Sequence, residues 1–319
     1  MAHEWRPEDR ARGVQRTVRR GLCVLVVVLS IAPAASGSDE RAGQDGYCGS
    51  AFGLAEHLYA QGLFDEAITE YLRYLFLRPG GDCVAEAYRG IALSLRESGS
   101  WDRSLAYFDQ ALRTYSDDGD RWQCELDAIA TMIAAGRLSG AEYRILRLRA
   151  TVRSVDRIRQ LEYYTAMLFT LSHRWGEART AVERLREIDR RQGAVGEARW
   201  RSVLALLDEV QGAPRKSPDT ARWLSVLLPG AGQIYAGDAW QGVVALAANA
   251  GCVGVLTYGV TQGRYLESAI LFLYIATRLY SGALYNAEEA AYSWNTRIDS
   301  EFALQILALL ADPERAGSI

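Results

Sequence analysis

From Gly62 to Pro79, small and apolar residues recur at helical intervals (Gly62, Phe64, Ala67, Ile68, Tyr71, Tyr74, Leu75, Pro79), with polar residues between them. A step of 37 residues lands on Gly99, Trp101, Ser104, Leu105, Phe108, Ala111, Leu112 and Ser116. Two more steps reach Gly136, Leu138, Ala141, Ile145 and Leu148, then Trp175, Ala178, Val182 and Leu185, with His173 in the glycine's place. A second stripe precedes each copy: Leu54, Ala55 and Leu58, then Ile91, Ala92 and Leu95, then Ala128, Ile129 and Met132, then Thr165, Ala166 and Phe169. Each unit therefore reads as two antiparallel helices, with the glycine in the turn and small residues where the helices cross. A further stripe over Glu197–Glu209, with Val203 and Leu206 inward, reads as a helix that caps the array.

The pattern changes after Gly212-Ala213-Pro214-Arg215-Lys216-Ser217-Pro218. Charges thin out. Trp223 to Tyr235 is largely apolar, Ala239 to Thr261 holds 23 uncharged residues, and Ser268 to Ala287 contains Arg278 as its one charge. Two stretches near 20 residues are spanning-helix candidates, and the short Gln262-Gly263-Arg264 connection makes them a hairpin. Gly242, Ala245, Ala248, Gly251 and Gly254 line the first stretch, so its partner helix can approach closely. An arginine inside a span costs about 2.5–3.5 kcal/mol on insertion scales. Asp238 or Gln233, from the turn before the hairpin, are the groups expected to answer Arg278 if it does not snorkel.

The predicted fold class is all-α: a helical-hairpin solenoid over residues 48–210, a linker at 211–220, a membrane helical domain over 221–297 with a transmembrane helical hairpin, and a tail at 298–319. Residues 1–37 read as a secretory signal. Six arginines (Arg6, Arg10, Arg12, Arg16, Arg19, Arg20) precede the apolar run Leu22–Ile31 and a small-residue zone. Ten to fourteen apolar residues rise only about 15–21 Å as a helix, short of the roughly 30 Å hydrocarbon core. Export would place the repeats in an oxidising compartment, where Cys48 and Cys83, at one edge of neighbouring units, are placed to bridge; Cys83–Cys124 competes, and free thiols are the plain alternative.

Charge adds a gradient and removes several functions. Residues 38–120 carry 15 acidic residues and 7 arginines, whereas 121–213 carry 12 acidic residues and 16 arginines. Solvated helix faces explain that as well as a polarised groove does. Five cysteines and His3, His57 and His173 show no metal-ligand spacing, so no metal or cofactor is expected. No nucleophile and base, carboxylate pair or cofactor motif stands out, so an enzyme is not expected. The run Arg144, Arg147, Arg149, Arg153, Arg157 and Arg159 has the charge nucleic acid favours, but no nucleic-acid motif accompanies it.

The glycine, aromatic, alanine and closing proline of the first two units resemble the tetratricopeptide (TPR) repeat, so the solenoid is TPR-like, with 37 residues where that repeat has 34. The resemblance implies a groove, formed by the first helices, that binds a protein or peptide partner. Candidates to line it are Glu56, His57, Tyr88, Arg89, Arg96, Gln123, Asp127, Glu162 and Tyr163. Pro229, Gly230, Gly232, Gln233, Tyr235, Gly237 and Asp238 resemble the P-G-x-G-Q-x-Y-x-G signature of TM2-like bacterial membrane domains. Together the resemblances imply a scaffold at the bacterial inner membrane with its repeats in the periplasm, free of nucleic acid and compatible with a homo-oligomer. The alternative is a component of an envelope assembly or transport complex in which the hairpin is the active part. Arg215, Lys216, Arg222 and Arg297 flank the hairpin on the side this assigns to the exterior, against the positive-inside tendency.

Overall fold

A computed structural model describes residues 45–193 and 196–311; the expected signal and the last eight residues of the expected tail lie outside the described residues. The described residues contain helices and no strand. They divide into two compact units, one reaching Leu204 and including the residues from Ile306 on, the other Ala205–Gln305.

The first unit is built from α1 (Asp45–Ala60) and α2 (Phe64–Leu77), α3 (Val84–Glu97) and α4 (Trp101–Thr114), α5 (Asp118–Ala134) and α6 (Leu138–Thr151), and α7 (Val155–Leu171) and α8 (Trp175–Arg191). α9 (Glu197–Gly212) follows. All four pairs close the same way. The N–H of Leu63 donates to Leu58 O and that of Gly62 to Tyr59 O; Ser100, Arg137 and Arg174 repeat the first bond onto Leu95, Met132 and Phe169 at 2.8–2.9 Å. This closure uses two carbonyls that the helix end leaves orphaned, and it requires a left-handed residue at one position. Gly62, Gly99 and Gly136 supply φ of 77°, 76° and 72°; in the fourth turn His173 takes the same role at φ 55°, the one non-glycine at positive φ among the described residues.

The predicted small-residue crossings are fully buried: Ala67, Ser104, Ala141 and Ala178 are each 0 % exposed. Ser104 keeps its hydroxyl there by donating to Ala92 O at 2.7 Å. Each apolar cluster joins one pair to the first helix of the next. Phe52, Ile68 and Tyr71 of the first pair pack with Ile91 and Leu95, Phe108 and Leu112 with Cys124 and Ala128, and Ile133 and Ile145 with Leu161 and Leu168. No pair could bury its face alone, which is the physical content of a repeat array. One expectation fails. Leu54 is 53 % exposed, and Phe52, two residues earlier and 4 % exposed, holds the core position of α1.

Polar links cross between pairs at roughly the repeat spacing. Arg89 Nε donates to Asp127 Oδ2 (2.8 Å), Trp122 Nε1 to Gln160 Oε1 (2.6 Å), and Arg157 to Asp118 (2.6 Å). On the second helices Arg137 reaches Asp102, Arg144 reaches Asp109 and Arg174 reaches Glu142. The uneven charge of the two halves is thus partly spent where arginines of later pairs meet acids of earlier ones. A disulfide joins Cys48 on α1 to Cys83 at the start of α3, while Cys124 is a buried free thiol.

The second unit holds α10 (Pro218–Leu227), α11 (Ala231–Tyr235), α12 (Ala239–Thr261), α13 (Tyr265–Leu271), a π-helical turn over Phe272–Ala276, and most of α14 (Thr277–Ala311). Ser217 caps α10 by accepting from Thr220 N, with Pro218 at the first helical position where its missing N–H costs nothing. Among the described residues, α12 alone is long and apolar enough to cross a membrane. The second expected span is not a separate 20-residue element. Its residues are divided between α13, the π turn and α14, and α14 runs on through polar sequence to Ala311, past the boundary expected at residue 297. The last described turns of α14 belong to the first unit, where Ile306 and Leu310 are 0 % and 2 % exposed and Arg199 donates to Leu310 O.

Candidate functional site

The groove candidates fall into three groups. Glu56 and His57 are exposed on α1, where His57 Nε2 lies 2.9 Å from Gln61 Nε2. Arg89, Gln123 and Asp127 come together between α3 and α5, while Tyr88 of α3 packs toward Tyr107 of α4. The Asp127 carboxylate accepts from both Arg89 and Gln123, and the Tyr88 ring lies 6.2 Å from that of Tyr107. Burial pulls the Arg89 guanidinium down, but the Asp127 carboxylate outweighs it and holds Arg89 above its ordinary value. Arg96 turns instead to its neighbour Glu97 at 2.8 Å.

Glu162 is a correction: it is 4 % exposed and offers no surface to a ligand. Its carboxylate accepts from Arg149 at 2.7 Å, and Arg184 lies 3.6 Å away, so it ties α7 to the two helices beside it. Tyr163 is half-buried, edge-on to the ring of Tyr164. Glu125 (5 % exposed, bonded to Arg144 and Arg147) and Asp189 (5 % exposed, bonded to Arg159 and Trp200 Nε1) are comparable anchors that sequence reasoning missed. At Glu125 a recess of about 640 Å³ gathers Arg121, Trp122, Arg147, Arg153 and Arg157 with Asp118. The Arg157 guanidinium stacks 5.0 Å from the Trp122 ring.

In the second unit, the Pro229–Asp238 turn is a packing device. Gly230 has φ 102°, and a Cβ there would lie 2.1 Å from Gly242 O; a Cβ on Gly232 would lie 1.9 Å from Ala221 O. The backbones touch only because these side chains are absent. Gln233, 1 % exposed, accepts from Ser225 Oγ and donates to Ala283 O at 3.0 Å. The Tyr235 hydroxyl accepts from Ser217 N, and its ring carries the Lys216 ammonium at 4.7 Å; Asn295 holds Lys216 by both its N–H and its carbonyl. Gly237 lies against the Trp294 ring, and Asp238 caps α12 by accepting from Gln241 N.

Asp238 and Gln233 are therefore engaged elsewhere, and neither pairs with Arg278. Arg278 lines a cleft of about 470 Å³ between α12 and α14, with Trp240, Gln241, Val244, Asn249 and Asn286. A second recess of about 400 Å³ shares Gln241 and Asn286 with it and is walled by Asp238, Glu289, Ser293, Trp294 and Arg297. Asn249 and Asn286 were not anticipated, although an amide ten residues into an uncharged stretch is the signal that finds the first. Among the described residues no cluster of three His, Cys, Asp or Glu side chains forms.

The chain matches no protein-family model and no curated protein.

Proposed function

We propose that the protein is a membrane-tethered interaction scaffold, with a TPR-like array that binds a protein or peptide and a TM2-like domain that holds it at a bacterial inner membrane. The supporting observation is the presence, in one chain, of four stacked helical pairs and of α12. On α12 Val243, Val253, Val255 and Tyr258 are 52–68 % exposed, a surface that needs an apolar medium. On this reading the repeats face the periplasm, where the Cys48–Cys83 bond persists. The partner engages Tyr88, Arg89, Gln123 and Asp127 and the basic recess around Trp122, which suit a segment carrying a carboxylate.

Photo-crosslinkers placed in living cells at Tyr88 and Gln123 on the first helices, and at Arg103 and Arg179 on the second, test the groove. Crosslinking to one discrete partner from the first pair of sites alone supports it, and equal crosslinking from both overturns it. Extraction of membranes at high pH tests the tether: the full chain should stay with the lipid, and its release overturns the membrane reading. Thiol accessibility at positions 121 and 263, each changed to Cys, reads the orientation.

A further inference from the structure

We propose that the cleft between α12 and α14 is a binding site for an anionic phospholipid, whose phosphate is taken by Arg278. The inference rests on the membrane reading of α12. Arg278 lies two residues past the π turn over Phe272–Ala276, after Thr277. A π turn accommodates an extra residue and re-aims the side chains beyond it, which is why such turns gather at functional sites. Beyond it Arg278, Gly282 and Asn286, four residues apart, face α12 on one side of the cleft.

The opposite wall is laid out for an amphiphile. Val244, Ala245 and Ala248 form an apolar bed, and Gln241 and Asn249 bring amides to its edges. Trp240, 76 % exposed, stands at the end next to Asp238, where an interfacial ring belongs. Asn249 donates to Ala245 O at 2.8 Å and lines the cleft. Arg278 lies level with Ala245–Asn249, about 9–15 Å from the start of α12 by helical rise. It shares the cleft with Trp240 and Asn286, and a long arginine side chain is able to carry its charge along such a cleft toward headgroups.

Charge decides the ligand. In the second unit Arg215, Arg222 and Arg264 each have a carboxylate at 2.7–3.5 Å, Asp299, Glu288 and Glu267 respectively. Among the described residues Arg278 has none. A guanidinium that is the one charge between Ser268 and Ala287, facing the uncharged α12, is stabilised by a bidentate anion, and a phosphate bearing acyl chains supplies both the charge and the fill for the apolar bed. A zwitterionic lipid brings its own cation and gains less.

Native mass spectrometry of the full chain, extracted from vesicles of equal phosphatidylglycerol and phosphatidylcholine, tests this. The wild type should keep one phosphatidylglycerol at least about tenfold over phosphatidylcholine. Arg278→Gln should lose that preference, Arg278→Lys should keep part of it, and Arg264→Gln should leave it unchanged. Unchanged preference in Arg278→Gln, no preference in the wild type, or a free fatty acid in the lipid's place overturns the proposal. Helical circular dichroism of each variant checks folding. Failure of the chain to enter the vesicles at all would instead overturn the membrane reading.

Discussion

The hairpin turns of the repeat unit and the Pro229–Asp238 turn of the second unit use glycine in opposite ways. In the repeat unit Gly62, Gly99 and Gly136 have left-handed φ and open space where a Cβ would stand, so only backbone strain restricts those positions. In the second unit Gly230 and Gly232 have another backbone within about 2 Å of that point. One unit fills its interior with large side chains (Phe108, Leu95 and Ile129 are at most 1 % exposed), while the other brings backbones together and leaves its large apolar side chains outward. On the membrane reading proposed above, the difference follows from the medium. Water drives side-chain burial, but a unit surrounded by hydrocarbon gains little from hiding leucine and more from close backbone contact.

Substitutions sharpen this contrast, the largest effect first. Gly232→Leu should prevent the second unit from folding, read as loss of protected helix in hydrogen exchange over residues 218–300 while the repeat unit stays protected; protection in both would show that the backbone contact is dispensable. Phe108→Ala should cost about 3–5 kcal/mol in the repeat unit's denaturant midpoint, whereas Trp240→Ala, removing a larger but exposed ring, should leave that midpoint alone. Cys48→Ser opens a loop spanning 35 residues and should cost about 2–4 kcal/mol. Gly62→Ala meets strain and no clash, so about 1–2 kcal/mol is expected, and a cost near that of Gly232→Leu would erase the distinction.

The smallest effect is one of pH. Burial pushes the Cys124 thiol up to about 12 and Tyr71 to about 12, and raises Tyr115 and Tyr164 as well. These acids keep their protons in the fold and release them earlier when unfolded. Their contribution is complete below the unfolded values, near 9 for the thiol and 10 for the phenols, and is lost as pH rises above them. Cys124 alone should make the repeat unit about 1 kcal/mol less stable at pH 10 than at pH 8. Urea midpoints at the two values measure it, and Cys124→Ala should flatten the slope.

Local chemistry was readable from the chain, and side-chain partnership much less so. The 37-residue period, the turn glycines with His173 standing in for one, and the buried alanines all follow from helical spacing, which one strand of sequence carries in full. Leu54 was misplaced because its stripe position was inferred from later units, while Phe52 competes for the same core. Glu162 sits on a first helix yet lies under Arg149 from another element, a pairing that depends on where two helices cross. Arg278 was matched to Asp238 or Gln233 on the expectation that the turn folds back to it, but Asp238 is held at the helix start by Gln241 N and Gln233 is bonded to Ser225 and Ala283. The polar links at offsets of 38 and 39 were invisible for the same reason: a ladder between first helices depends on how far each pair is rotated against the next.

The hairpin closure seen at Leu63–Leu58 recurs in the second unit, where Asp238 N donates to Gln233 O at 2.8 Å and Arg264 N to Gly259 O at 3.0 Å. Because such a tip meets its own backbone's needs, it does not draw on the surrounding solvent to do so. Tips are therefore portable. Ala135-Gly136-Arg137 exchanged for Gln262-Gly263-Arg264 should close either hairpin equally well, so tip sequences are free to diverge according to whatever lies outside them, provided one left-handed position is kept.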